Sequence, residues 1–322
     1  MNTYSKIVGN NLFDESAQIQ HLRGLGLGGS TQEFEQALTL IEFHRFATFA
    51  VELFDSNTDK FYPGMVVEDV LFAHEFDRQL RKHIFSLIQI FEVWFRKQLI
   101  DLNTLQSEQI SIEQSHENFD FSYLYKEDFN PTISNREIHR RDLNFMSNEF
   151  IRKFSTEEQQ FFTDSSTGLC LPPVSLAFER MTFKSLEKWF KNTKTKYRKD
   201  IANRISLPEP IFSSLVGAFC DWRNNVAHHS KCWVGYSRAI KKYAKKDAPE
   251  ILRPFVHEMS NSSAGYFISL VVYVVRHLDI QDPSLTAMRD YLMKAPIEFL
   301  EDMEFSENFF ESPLWNFEIT KN

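Results

Sequence analysis

Arg223 and His228 stand five positions apart in IFSSLVGAFCDWRNNVAHHS (Ile211–Ser230), with Asn224 directly after the arginine. An imidazole titrates near neutral pH, so it can move a proton during RNA cleavage. A guanidinium can stabilise the charge of a pentavalent phosphorane. Together they permit metal-independent attack by a ribose 2′-OH on the adjacent phosphate, leaving a 2′,3′-cyclic phosphate or a 3′-phosphate. One Arg and one His at this spacing are common in any sequence, so the pattern alone does not assign the reaction.

Other chemistries find less support. Cys220, His228, His229 and Cys232 are close in sequence, but their spacing fits no C-x-x-C or H-x3-5-H pattern, and adjacent histidines face different directions on a helix. The two cysteines read as unreactive small residues. No metal and no cofactor is expected. There is no Walker A sequence and no G-x-S-x-G elbow. Gly24-Leu-Gly26-Leu-Gly28-Gly29 formally satisfies G-x-G-x-x-G, but the preceding AQIQHLR has a helical pattern and no strand follows. It reads as a flexible turn between helices, not a dinucleotide fingerprint.

The helix that must carry the pair is legible. Leu215, Phe219, Trp222 and Val226 recur at i, i+4, i+7 and i+11, which makes one buried stripe. At about 100° per residue, His229 falls at the edge of the core, where it reads as a packed neutral histidine. Asn224 and His228 fall on the polar face as i,i+4 neighbours, and Arg223 lies on the other flank. A second stretch, roughly Val66 to Leu102, reads as one long helix or two, with the stripe Leu80, Ile84, Leu87, Ile88, Phe91, Phe95. Arg81, Phe85, Gln89, Glu92 and Arg96 share another side, with Glu92 and Arg96 spaced as a surface i,i+4 pair.

Composition places these helices in a helical protein. Of 322 residues only 10 are Gly and 11 Pro, about 3 % each against a usual ~7 % and ~5 %. Turn-rich sandwiches and barrels need more. Phe is abundant, at 32. Further helices are expected over 16–60 (one or two, with Thr31 as an N-cap), 136–154, 156–162, 175–194, 200–205, 262–278, 284–294 and 297–301. Pro63-Gly64 marks a turn, residues 103–135 read as a loop or insertion, and Leu171–Val174 is a break. The expected organisation is an N-terminal helical segment (1–62), a helical core (63–258) with the less regular insertion near 103–135, and a C-terminal helical segment with an acidic tail (259–322). The longest mostly apolar run, Tyr266 to Val275, is half of what spans a bilayer. The first twenty residues have no apolar segment of the secretory kind, and three scattered cysteines suit a reducing compartment. The expectation is a cytoplasmic protein without membrane contact.

The net charge of −8 hides a split. Residues 136–253 hold 22 basic and 13 acidic residues, a balance of +9, and the rest of the chain 14 and 31, a balance of −17. Lys184, Lys188, Lys191, Lys194, Lys196, Arg198, Lys199, Lys241, Lys242 and Lys245 form the basic peaks, which either hold a phosphate backbone or make a solvated helix face.

WRNNVAHHSKCW (Trp222–Trp233) resembles the "LRN-x-x-AHH-x-x-x-W" signature of the Abi-like abortive-infection proteins, the AbiD/AbiF type. FDRQLRKHIFSLIQIFEVWFRKQL (Phe76–Leu99) is similar to their "FDR-x-LR…E-x-x-R" helix. Gln18–Arg45, with an RGL-like turn and FHRF, resembles their N-terminal segment. The segment from Leu171 is similar to their "P-x-W…E-x-x-sFG", with Ser175 and Lys184 in place of Trp and Gly. The likeness is collinear over about residues 16–315, and least over about 103–170. It implies membership of the HEPN superfamily, an all-α helical bundle, here with N- and C-terminal helical extensions, that often dimerises to join two R-x4-6-H motifs. It implies a phage-defence endoribonuclease toxin in which His228 is general base or acid, Arg223 stabilises phosphate charge and Asn224 positions His228 or RNA. Glu92 would orient Arg223 or the cleft, and His229 would support the site. RNA is the implied partner, as target or as a structured small non-coding RNA, with a homodimer as the assembly. Two rivals remain: an RNA-holding scaffold without hydrolysis, and a nucleotidyltransferase.

Overall fold

A computed structural model of the chain describes residues 2–9, 14–110, 148, 151–163, 170, 174–234, 238–243, 248–278, 280 and 282–316. These are predominantly helical, and the strands among them form one two-stranded ribbon. The fold is therefore all-α in class, as the Gly and Pro scarcity implied. The chain divides into two compact units, Met1–Ile84 with Asn225–Gly235, and Phe85–Asn224 with Tyr236–Asn322.

In the first unit, residues 16–60 hold three α-helices rather than one or two. Helix α1 (Thr3–Val8) precedes α2 (Glu15–Gly24), which Asp14 caps. Helix α3 (Thr31–Leu40) is capped by Ser30 and not by Thr31. Ser30 wins because Glu33, three residues on, returns a bond to the Ser30 amide at 2.6 Å, a reciprocal box that Thr31 has no partner to make. The chain is extended at Ile41, and Glu42 restarts it by accepting the amides of His44 and Arg45 at the head of α4 (Phe43–Ala50). An unforeseen antiparallel ribbon follows, β1 (Phe54–Asp55) on β2 (Lys60–Phe61), with Phe54 opposite Phe61. The glycine-rich segment is an interhelical turn. Gly28 pairs its backbone with Met65 and Val67, so a Cβ there would sit 3.1 Å from Val66 Cγ1. Phe34, Phe46, Phe49, Val70, Leu80 and Trp233 are buried in this unit.

Helix α5 (Val67–Ile110) begins after the Pro63-Gly64 turn and continues past Leu102, where a loop was expected. Gln106 to Gln109 are polar but hold no helix breaker, so backbone bonding carries the helix on. The remainder of the expected insertion, and most of the helix expected over 136–154, lies outside the described residues.

The second unit packs α6 (Thr156–Phe162), α7 (Val174–Arg180), α8 (Phe183–Asn192), α9 (Thr195–Asn203) and α10 (Glu209–Ala227). The single helix expected over 175–194 is two, because Thr182 turns extended and caps α8 through the Ser185 amide. The short helix expected at Asp200 starts earlier, at Thr195. The core of this unit is aromatic: the Phe91 and Phe219 rings stack at 4.0 Å, Phe95 stacks on the Phe91 ring, and Phe95, Phe190 and Phe212 meet one another edge-on. Helices α11 (Arg253–Glu258), α12 (Ala264–His277), α13 (Pro283–Leu292) and α14 (Ile297–Asp302) complete the unit. Every residue of α12 from Ala264 to Val275 is buried, which matches its apolar character on all sides. Among the described residues, no helix is long and apolar enough to cross a membrane.

Candidate functional site

The boundary between the units falls inside the R-x4-H motif, after Asn224. In the second unit, Trp222 anchors α10 by lying flat on Phe267, centroids 4.4 Å apart at 4°. That seat fixes the rotation of the helix and so sets the direction of its neighbour. The Arg223 side chain is 41 % exposed, and its Nε stands 3.8 Å from Glu92 Oε2. Its Nη1 is 3.4 Å from Asn224 Oδ1, and Asn224 is exposed. Glu92 is shared: its Oε1 accepts from Arg96 Nη2 at 3.0 Å, and Arg96 Nε donates to the Phe178 carbonyl at 3.1 Å. The Glu92 and Arg96 side chains are only 15 % and 14 % exposed, so they are not the surface pair expected. A carboxylate fixed on one side by Arg96 restricts the Arg223 guanidinium on the other without fully neutralising it.

In the first unit, the continuation after Asn224 is a helix end. Helix α10 stops at Ala227, short of the expected Ser230. The Ser230 amide bonds back to the Asn225 carbonyl at 2.8 Å, and the His229 amide to Val226 at 3.1 Å. Those two bonds close a Schellman motif, with His228 as the C-cap and His229 in the left-handed position, φ 58°. The helix therefore ends at the motif's histidine and does not run on to Ser230. His229 is exposed rather than packed at the core edge, because the left-handed turn swings it off the helix. His228 is exposed too.

A set of buried and half-buried charges holds this turn, and the sequence reading missed them. Asp77 is fully buried; its Oδ1 accepts the amides of Cys232 at 2.6 Å and Trp233 at 3.2 Å, and its Oδ2 pairs with Arg81. Arg81, 5 % exposed, also reaches the Ser230 carbonyl at 3.5 Å. Arg45 donates to the His229 carbonyl. Lys231 pairs with Glu52, donates to the Thr48 carbonyl at 3.1 Å and covers the Trp233 ring. The signal for Asp77 was available. It interrupts the apolar stripe Val70, Ala73, Leu80, Ile84, where an aspartate is retained only if it is bonded.

Burial raises the thiol of Cys232 to about 12 and that of Cys220 further still, so neither is a thiolate at neutral pH. Among the described residues, no three His, Cys, Asp or Glu side chains gather as a metal-holding group.

The basic residues divide. Lys184 and Lys191 both pair with Glu187, a carboxylate 1 % exposed on α8. Arg238 Nη1 stands 3.5 Å from the same carboxylate, in space that Gly217 leaves open. Arg198 is structural: it pairs with Glu209 at 2.7 Å and donates to the Lys191 and Thr193 carbonyls. Lys242 donates to the Met259 carbonyl, and Lys196 covers the Tyr197 ring. Lys188, Lys199 and Lys241 are exposed and Lys194 is half-buried. Lys245 lies outside the described residues.

An all-α protein with a charged, partly exposed R-x4-H helix end is the class defined so far. The chain matches the family model described as Abi-like protein over residues 36–234, and it belongs to that family of abortive-infection-like proteins. The matched span includes the FHRF segment, the Asp77 and Glu92 helix, and both ends of the motif. No curated protein and no solved structure matches the chain.

Proposed function

We propose that this protein is a cytoplasmic, bacterial anti-phage toxin of the HEPN type, a homodimeric, metal-independent endoribonuclease. His228 takes the proton from a ribose 2′-OH; the oxygen attacks the adjacent phosphorus; the 5′ oxygen leaves and is protonated, giving a 2′,3′-cyclic phosphate and a 5′-hydroxyl. Arg223 stabilises the charge on the phosphorane, with Asn224 beside it and Glu92 limiting its orientation. The observation that carries the reading is the Arg223–Glu92 pair within the second unit. The partly exposed Arg223 is held by Glu92, and the chain leads directly to an exposed imidazole at the C-cap that makes no hydrogen bond among the described residues.

The test uses purified full-length protein, labelled RNA and EDTA. Wild type cleaves and leaves a cyclic phosphate end, whereas His228→Ala is slower by at least about 100-fold and fails to protect cells from phage. Equal cleavage by His228→Ala overturns the assignment. RNA bound by wild type but never cleaved, before or after phage challenge, leaves the non-catalytic ribonucleoprotein instead.

A further inference from the structure

The FHRF segment (Phe43–Phe46) has no part in the reaction described above, yet Arg45 touches the turn that carries the histidines. Its Nη1 is committed to the His229 carbonyl, and its guanidinium lies over the Phe49 ring with Cζ 4.9 Å from the centroid. These two interactions fix the plane of the group. The Nε–Nη2 edge, which grips a phosphate with two parallel bonds, has no partner among the described residues.

The neighbouring cations are different. Arg81 has Asp77, Lys231 has Glu52, and Arg78 has Glu75 at 2.6 Å. Glu42, the acid nearest in sequence, uses its Oε2 on the His44 and Arg45 amides. Arg45 alone of the four has no carboxylate within ion-pair distance among the described residues, although it is half-buried. Partial desolvation without a counter-charge is unfavourable, and a bound anion removes the penalty. The local field is positive: burial, then Arg45 and Arg81, hold the His74 imidazole below its ordinary pKa, and His74 meets the same Phe49 ring edge-on at 4.9 Å.

We propose that Arg45 is a second phosphate-binding residue of this protein, taking the non-bridging oxygens of an RNA backbone phosphate beside the His228–His229 turn. This rests on the RNA reading above. Arg45 acts on the substrate through its free edge, and the bond to His229 keeps that edge in register with the turn. It carries no base information, so the contribution is independent of RNA sequence.

The test is binding of a fluorescein-labelled 2′-O-methyl oligonucleotide, which cannot be cleaved because its nucleophile is blocked, followed by anisotropy across a salt series. Arg45→Gln is expected to weaken binding for all sequences and to flatten the slope of log K against log salt by about 0.7, the share of one neutralised single-strand phosphate. Arg45→Lys is expected to restore the slope, with part of the affinity. A bracing role alone lowers the melting temperature of Arg45→Gln and leaves the wild-type slope unchanged, which overturns the proposal. Wild type that fails to bind any RNA overturns the RNA reading and this inference together, whereas wild-type binding with an unaltered Arg45→Gln slope removes Arg45 only.

Discussion

Asp77 occupies a stripe of α5 that is otherwise Val70, Ala73, Leu80 and Ile84, and its carboxylate has no exposure. It persists there because both oxygens are satisfied, one by two amides of the turn and one by Arg81. A buried carboxylate so bonded specifies a single conformation for Cys232 and Trp233 and, through Arg81, for the Ser230 carbonyl, while Arg45 separately holds the His229 carbonyl. The same neighbourhood titrates. His74 and His83 both have pKa values below the ordinary histidine value, His74 through burial and then Arg45 and Arg81, His83 through burial and then Lys82. The unfolded chain therefore binds protons at these sites before the folded one does, and stability falls as pH drops below about 6.5, the unfolded histidine pKa. It is unaffected by these groups above that pH. Urea unfolding between pH 7.5 and 5.5 checks this: His74→Phe is expected to give a shallower loss of stability on acidification than wild type. An identical pH profile would mean that His74 does not contribute.

The end of α10 is where local sequence and observed element part company. Leu215, Phe219, Trp222 and Val226 are all buried, as their spacing required. The stop after Ala227 was not legible, since the residue that turns left-handed is a histidine and not the glycine usual at that position. An L-residue in that conformation carries a cost of about 1 kcal/mol, tolerated where the surroundings determine the turn. His229→Gly is accordingly expected to raise the urea midpoint, by about 1 kcal/mol of stability. A lowered midpoint would show that the imidazole makes an interaction worth more than the strain. Elsewhere the hidden breaks have the same origin. Thr182 and Glu42 end or begin helices by side-chain capping, a choice among many polar residues that apolar periodicity does not report. For Asp77 the converse holds: its place in an apolar stripe marks it as buried and bonded, but its partners, Cys232 and Trp233, lie far away in sequence and could not be named. Arg223, Asn224 and His228 could be put forward from sequence because they are close together on one short segment.

Across the whole molecule, the +9 balance of residues 136–253 overstates the charge that a polyanion meets. Lys184, Lys191 and Arg238 surround Glu187, and Lys184 and Arg238 also approach Asp221, at 3.9 and 3.7 Å. Three cations and two carboxylates leave that cluster nearly balanced. The cluster's role is to compensate a carboxylate that burial alone would push toward protonation; its neighbouring lysines instead hold Glu187 below the ordinary value. Arg198 is likewise consumed within the fold. Exposed Lys199 and Lys241 carry no such duty. Two double variants should therefore behave in opposite ways. Lys184→Met with Lys191→Met leaves Glu187 with Arg238 alone, and is expected to destabilise the protein by about 3 kcal/mol in urea while scarcely altering the salt slope of RNA binding. Lys199→Gln with Lys241→Gln is expected to leave the urea midpoint within about 0.5 kcal/mol of wild type, and to flatten the slope by roughly 0.7 for each phosphate that is no longer neutralised. If the first pair flattens the slope without destabilising, the lysines around Glu187 face the RNA and their ion pairs open on binding. If the second pair leaves the slope unchanged, RNA bypasses those two positions.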